Sequence, residues 1–361
     1  MNVFELDKSF VAPTYARFPI NIVKGKGSLC YDESGKEYID LGSGIGVNSF
    51  GFCDEDWVKA VYTQLQSFQH TSNLYYTKPC ADLAKKLCEI SNMSKVFFSN
   101  SGAEANECAI KIAREYFHKT RGEKNATIIT LKNSFHGRTL TTLSATGQDC
   151  FHEYFTPLTP GFVHIEPTKE ELEKAISEND NVCAVMFEAV RGEGGVLPLT
   201  EEFANALTTV SKQKDILLIA DEVQCGNGRS GKYYGYMNLG LNPDIVTTAK
   251  GLGGGLPIGA TMMNSKLENI FSPGLNGSTF GGNPAVCAGA LNILNRLDES
   301  FLLNVRQKSE YIFNSLKKAG GISEVSGMGL MKAKHGQVSL QLLTFLQQHA
   351  LRRTVFTQSK S

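Results

Sequence analysis

The sequence predicts an α/β protein: a large domain on a mostly parallel sheet, joined to a smaller α+β domain. Three observations carry that expectation. The runs 95–100 (KVFFSN), 127–131 (TIITL), 182–188 (VCAVMFE), 216–222 (ILLIADE) and 244–249 (DIVTTA) are short and apolar or β-branched almost throughout. Strands of that kind are buried on both faces. Stretches with helical spacing lie between most of them and supply the cover. Polar residues collect at the carboxyl ends of the runs, where such sheets gather their ligands: Ser99, Asn100, Glu188, Asp221, Glu222 and Lys250.

In chain order, residues 1–45 contain GSLCYDESGKEYIDL, a hairpin pattern turning at Glu33-Ser34-Gly35, and are assigned to the small domain. Residues 46–283 form the large domain. The helix from Gly102 repeats Ala105, Cys108, Ala109, Ile112, Ala113 and Tyr116 at spacings of three and four. A second helix starts at Glu201. Residues 284–331 read as a connecting helix and the start of the rest of the small domain. Residues 332–361 differ, with five Lys or Arg and no Asp or Glu. That composition suits an altered or shortened ending after Met331.

Composition narrows the function. Apolar residues make up 42% of the chain and charged residues 20%, as in ordinary globular proteins. Lys plus Arg and Asp plus Glu are both 36, which argues against a polyanion-binding surface and so against nucleic acid. No apolar run reaches membrane-spanning length, and the first twenty residues lack a signal-peptide core. The cysteines are scattered without a C-x-x-C pair, so no metal is expected and the cytoplasm is the expected compartment.

Four stretches carry chemistry. SNSGAEANE (Ser99–Glu107) follows a strand and opens a helix. The N–H groups of Ser101, Gly102 and Ala103 there suit an anion, though a capped helix start would look the same. SFHGRT (Ser134–Thr139) offers Phe135 to stack on a flat ring and Arg138 to pair with a carboxylate. In ILLIADEVQ, Asp221 suits either Mg²⁺ or a protonated ring nitrogen. The loop GNGRSGK (Gly226–Lys232) weakly matches two phosphate-loop patterns, but Tyr233 stands where the Mg²⁺-binding hydroxyl belongs and no helix follows. A nucleotide site is therefore set aside. In DIVTTAKGLGGGLPIGA, Lys250 ends a strand inside a glycine run. A lysine taken out of water there is a nucleophile suited to a Schiff base. An anion cradle, a stacking ring, a carboxylate for a ring nitrogen, a Schiff-base lysine and a substrate arginine together are what pyridoxal 5′-phosphate requires.

With FFSNSGAEANECAIKIAR, SFHGRT, FEAVRGEGGV, LLIADEVQCGNGRSGK, TTAKGLGGGLPIGA and GSTFGGNP in this order, residues 10–331 resemble the class III aminotransferases of fold type I, and among them those acting on acylated ornithines. The resemblance implies that Gly102 and Ala103 hold the cofactor phosphate. It implies that Phe135 and Val223 pack on the two ring faces, that Asp221 pairs with the ring nitrogen, and that Gln224 lies near the ring hydroxyl. Lys250 would carry the cofactor, with Glu188 and Glu222 close by. Arg138 would grip the substrate carboxylate remote from the reacting amine, and Glu193 would gate the substrate side. Ser278 would touch substrate, and Thr279 would reach the phosphate of a second subunit, which implies a homodimer with shared sites.

The reaction implied is N2-acetyl-L-ornithine with 2-oxoglutarate, giving N-acetyl-L-glutamate 5-semialdehyde and L-glutamate, a step of arginine synthesis. Succinylornithine, ornithine or 4-aminobutyrate as donor, or an impaired homologue that still binds the cofactor, are the alternatives. One motif departs from the family. Where the family reads R-G-x-G-L-[ML], this chain reads SGMGLM, with Ser326 in the arginine position. That arginine holds the α-carboxylate of glutamate in the family. Its loss is expected to weaken glutamate and 2-oxoglutarate while leaving cofactor binding intact.

Overall fold

The computed structural model describes residues 1–319, 322–335 and 354–356. The first strands, β1 (Ile22–Lys26), β2 (Leu29–Asp32) and β3 (Glu37–Asp40), form an antiparallel meander with the expected hairpin turn. Asp32 fixes that turn: its Oδ1 accepts the N–H of Ser34 at 2.9 Å and of Lys36 at 3.0 Å.

The central sheet has seven strands: β4 (Lys95–Ser99), β5 (Thr127–Leu131), β6 (Phe162–Ile165), β7 (Val182–Phe187), β10 (Leu217–Asp221), β11 (Ile245–Thr248) and β12 (Gly259–Met263). Between β7 and β10 the chain makes the two-residue strands β8 (Val190–Arg191) and β9 (Leu197–Pro198). The order across the sheet is β4-β12-β11-β10-β7-β5-β6, and β12 alone runs against the others. The five predicted runs are all strands of this sheet. Sequence periodicity missed β6 and β12. The first is a four-residue edge strand interrupted by His164. The second opens on Gly259 and Ala260, which carry almost no apolar signal. Gly259 is needed at that size: a Cβ there would lie 2.2 Å from the carbonyl oxygen of Ser101.

Alternate residues of each strand feed two cores. Ile128, Ala184, Met186, Leu217, Ile219 and Ile245 meet the helix Gly102–Arg121 on one face. Ile129, Leu131, Val185, Phe187, Leu218 and Val246 meet helices Lys78–Ser91, Glu201–Lys214 and Pro284–Arg296 on the other. Each fully buried aliphatic side chain contributes about 1.5–3 kcal/mol, so covering both faces is the main source of stability. The helix Gly102–Arg121 is held at both ends. Ser101 Oγ accepts the N–H of Glu104 at 3.2 Å, and Gly122 closes the helix at φ 72°.

The glycine run after Lys250 solves a packing problem. A Cβ on Gly253 would sit 2.0 Å from the carbonyl oxygen of Leu256, a backbone atom that no side-chain rotation can move. Gly253→Ala is therefore expected to destabilise the fold by about 1–3 kcal/mol or more. Urea unfolding of the two proteins checks this, and equal midpoints would refute it.

Two helices, Pro284–Arg296 and Glu299–Lys318, lead to the hairpin of β13 (Glu324–Met328) and β14 (Met331–His335). Ser326 pairs across it with Ala333, and the N–H of Leu330 at its turn donates to Arg229 O at 2.9 Å. Strand β15 (Thr354–Phe356) adds to β3 in parallel. The rest of the atypical tail expected at 332–361 lies outside the described residues.

Candidate active site

Four of the strands end on one cavity of about 440 Å³, and the loop after β5 closes it. The segment after β4 brings Asn100, Ser101, Gly102 and Ala103. The loop after β5 brings Phe135, His136 and Arg138. Glu188 follows strand β7, β10 ends at Asp221 with Val223 and Gln224 beyond, and β11 leads to Lys250. Glu193 joins the wall from the β8–β9 turn. Thus eleven of the fourteen side chains and backbone positions expected from the sequence converge here.

Asp221 is the best-held group of the site. It is buried, and its Oδ2 accepts from His136 Nδ1 at 2.7 Å and from Asn106 Nδ2 at 2.8 Å. Its Oδ1 accepts the N–H of Val223 at 3.0 Å. Asn106 is locked in turn, donating to His136 O at 2.7 Å and accepting from Thr247 Oγ1 at 2.7 Å. Burial pulls the His136 imidazole down, but its hydrogen bond to Asp221 and the charges of Asp221 and Glu188 outweigh it, so His136 is raised above the usual imidazole range. Glu188 accepts the N–H of Phe135 at 2.9 Å; burial pushes its carboxyl up to about 7, against the pull of His136 and with the push of Asp221.

At the opposite wall the helix Gly102–Arg121 points its N-terminus into the cavity. The first N–H groups of a helix have no intrahelical acceptor, and Ser101 Oγ takes only that of Glu104. Those of Gly102 and Ala103 are left for an anion, with the helix dipole adding to the attraction. Gly102 has no room for a side chain, because a Cβ would lie 2.6 Å from Val223 Cγ1. Phe135 is half-buried, edge-on to Phe151 at 5.8 Å. The Arg138 guanidinium lies 4.2 Å from the Phe151 ring centre and is exposed at the cavity rim.

Three expected residues lie elsewhere. Glu222 does not line the cavity. It is buried on the other side of the chain, where its two carboxyl oxygens accept Gly235 N at 2.7 Å and Tyr236 N at 2.8 Å and so organise a loop. Ser278 is spent on local structure, accepting Asn100 Nδ2 at 3.1 Å and Gly281 N at 3.0 Å. Thr279 lines a separate depression with Ser278, Lys111 and Asn276, outside its own chain's cavity. Asn106 and Thr247, by contrast, were not singled out in the sequence. A polar Asn inside the apolar stripe of the helix from Gly102 was the available signal.

The donor set fits pyridoxal 5′-phosphate. A helix N-terminus would take its phosphate, Phe135 and Val223 its ring faces, the buried carboxylate of Asp221 its ring nitrogen, and Lys250 its aldehyde. Among the described residues no cluster of side chains suits a metal ion, and no helix is long and apolar enough to cross a membrane.

Comparison with known proteins agrees. Residues 10–348 match the family described as aminotransferase class-III. The acetylornithine aminotransferase of Haemophilus ducreyi is 48% identical over 328 residues, 91% of this chain and 83% of that protein. The succinylornithine transaminase of Salmonella paratyphi A is 42% identical over 327 residues, 89% of this chain and 80% of that protein. The crystal structure of the ornithine aminotransferase from Toxoplasma gondii ME49 matches with a TM-score of 0.89 at 30% identity, covering 96% of this chain and 85% of that one.

Proposed function

The chain belongs to the class-III aminotransferases, and from that premise we propose that it moves the terminal amino group of N2-acetyl-L-ornithine to 2-oxoglutarate. The observation that carries this reading is the convergence of Lys250, Asp221 and the Gly102–Ala103 helix end on one cavity with Arg138 at its rim. Pyridoxal 5′-phosphate, the family's cofactor, supplies a carbonyl that condenses with amines and a ring that accepts the electron pair left when a proton leaves carbon.

The chain's own residues do the rest. Gly102 and Ala103 anchor the phosphate through backbone N–H groups. Phe135 and Val223 fix the ring plane. Asp221, held by three donors, keeps positive charge favourable at the ring nitrogen. The Lys250 amine takes the proton from the substrate carbon and returns it to the neighbouring position. Arg138 carries no acidic partner among the described ion pairs and is free to grip a carboxylate. An ω-amine substrate needs that grip, because its reacting nitrogen is remote from its carboxylate.

The same reading takes the enzyme to be a cytoplasmic homodimer with shared sites. Its cysteines are all unpaired. Leu74, Tyr75, Tyr76 and Phe280 are exposed close to the Ser278–Thr279 loop in sequence or space, and aromatic surface of this kind marks an interface.

A donor panel tests the substrate. Acetylornithine, succinylornithine, ornithine and 4-aminobutyrate are each mixed with the loaded enzyme in single turnovers. The highest kcat/KM is expected for acetylornithine. Preference for free ornithine or 4-aminobutyrate would overturn the assignment.

A further inference from the structure

Two cysteines without a part in transamination meet where helices Lys78–Ser91 and Pro284–Arg296 pack against each other. Cys80 is the third residue of the first helix and Cys287 the fourth of the second. Side chains lean toward the N-terminus of their helix, and that end favours negative charge on a thiol.

The two differ in exposure. Cys287 is fully buried in the core. Cys80 is half-buried and lines a cavity of about 260 Å³ with Asn73, Tyr75, Tyr76, Phe98 and Gly282. The loop at Gly282 lies against it, since a Cβ there would sit 2.9 Å from Cys80 Sγ. Cys80 therefore meets both a cavity open to a small reactant and a second, sheltered thiol.

A hydrogen bond between the thiols sets their roles. The Cys287 S–H donates to the Cys80 sulfur, which lowers the Cys80 thiol from its ordinary range against the opposing effect of burial. The same bond, together with burial, raises Cys287. Cys30, Cys88, Cys108, Cys183 and Cys225 are raised too, each chiefly by burial. The thiolate is the reactive form, so Cys80 is placed to react first and Cys287 to answer it.

We propose that Cys80 and Cys287 are a peroxide-reactive pair that closes reversibly into a disulfide. The Cys80 thiolate attacks one oxygen of hydrogen peroxide. An S–O bond forms, the O–O bond breaks and hydroxide leaves; the sulfur is oxidised to a sulfenic acid and the peroxide is reduced. The Cys287 sulfur then attacks the Cys80 sulfur. The S–S bond forms, the S–O bond breaks, and the departing hydroxide leaves as water with the Cys287 proton. A dithiol reductant returns two electrons and two protons and restores both thiols. Such reversibility is what a disulfide needs in a reducing compartment. The proposal is independent of which amine the enzyme accepts.

Peroxide treatment of the holoenzyme at neutral pH, followed by alkylation and peptide mass mapping, tests it. The wild type should yield a peptide pair joining Cys80 to Cys287, lighter by two hydrogens, that dithiothreitol separates. Cys287→Ala should halt at a Cys80 sulfenic acid that dimedone traps, and Cys80→Ala should leave Cys287 reduced. Before oxidation, Cys80 should alkylate about tenfold or more faster than Cys88, since one unit of thiol pKa gives about tenfold in thiolate at neutral pH. The wild-type map decides even where a variant fails to fold. Cys80 left reduced while the exposed Cys53 or Cys150 is oxidised would overturn the proposal. So would Cys80 joined to a cysteine of a second copy, or Cys287 oxidised in Cys80→Ala.

Discussion

Lys250→Ala is expected to lower kcat by at least about 10²–10⁴-fold, the range for removing a positioned proton-transfer group. The fold should survive, for reasons visible at the backbone. Lys250 sits at φ 44°, in the left-handed region where a residue with a Cβ is strained. Surrounding bonds impose that conformation. Asn227 Nδ2 donates to Thr248 Oγ1 at 3.0 Å and to Ala249 O at 3.1 Å, and Leu252 N donates to Ala249 O at 2.9 Å. Alanine inherits the strain and loses only the amine. Glycine would lose both, so Lys250→Gly should be equally inactive yet more stable than Lys250→Ala, by up to about 1 kcal/mol. That ordering separates a strained position kept for function from an ordinary turn. Activity assays, urea unfolding and borohydride trapping followed by peptide mapping measure it. Substantial turnover by either variant, or cofactor trapped on another lysine, would remove Lys250 from the role.

Much of this was legible in the sequence because buried parallel strands must be apolar throughout. KVFFS, TIITL, VCAVMF, LLIAD and IVTT therefore stood out, and their polar ends marked the site. The misread residue, Glu222, shows where such reasoning stops. Asp221 and Glu222 are adjacent at a strand end, so their side chains point to opposite faces. Both carboxylates looked available in one dimension; only one faces the cavity, and the other binds the amides of Gly235 and Tyr236. Strand β12 was hidden for the opposite reason. It lies in the sheet's interior, yet Gly259 and Ala260 give it little apolar character. The support of Asp221 by Asn106 and Thr247 joins residues 141 apart in the chain, a contact that local pattern does not encode.

That support makes Asp221→Asn the second informative change. The substitution keeps the shape and removes the charge. Loss of a preorganised electrostatic partner of this kind costs about 10²–10³-fold in kcat. A pH effect should accompany it, with a sign fixed by His136. In the wild type the folded imidazole is raised above its unfolded value, chiefly by the Asp221 hydrogen bond and charge working against burial. Its contribution to stability is therefore fully present below the unfolded pKa of about 6.5 and is lost as pH rises through the folded value. Without the Asp221 charge, burial dominates and the folded imidazole falls below its unfolded value. The same histidine then costs stability as pH drops below about 6.5. Glu222, pushed up to about 8 by burial, destabilises with rising pH in both proteins, so it largely cancels in their difference. The stability gap between wild type and variant should thus widen as pH falls from 8 to about 5. Parallel denaturation curves over that range measure the gap; one that stays flat or narrows toward acid would show that Asp221 and His136 do not share a charge-assisted bond.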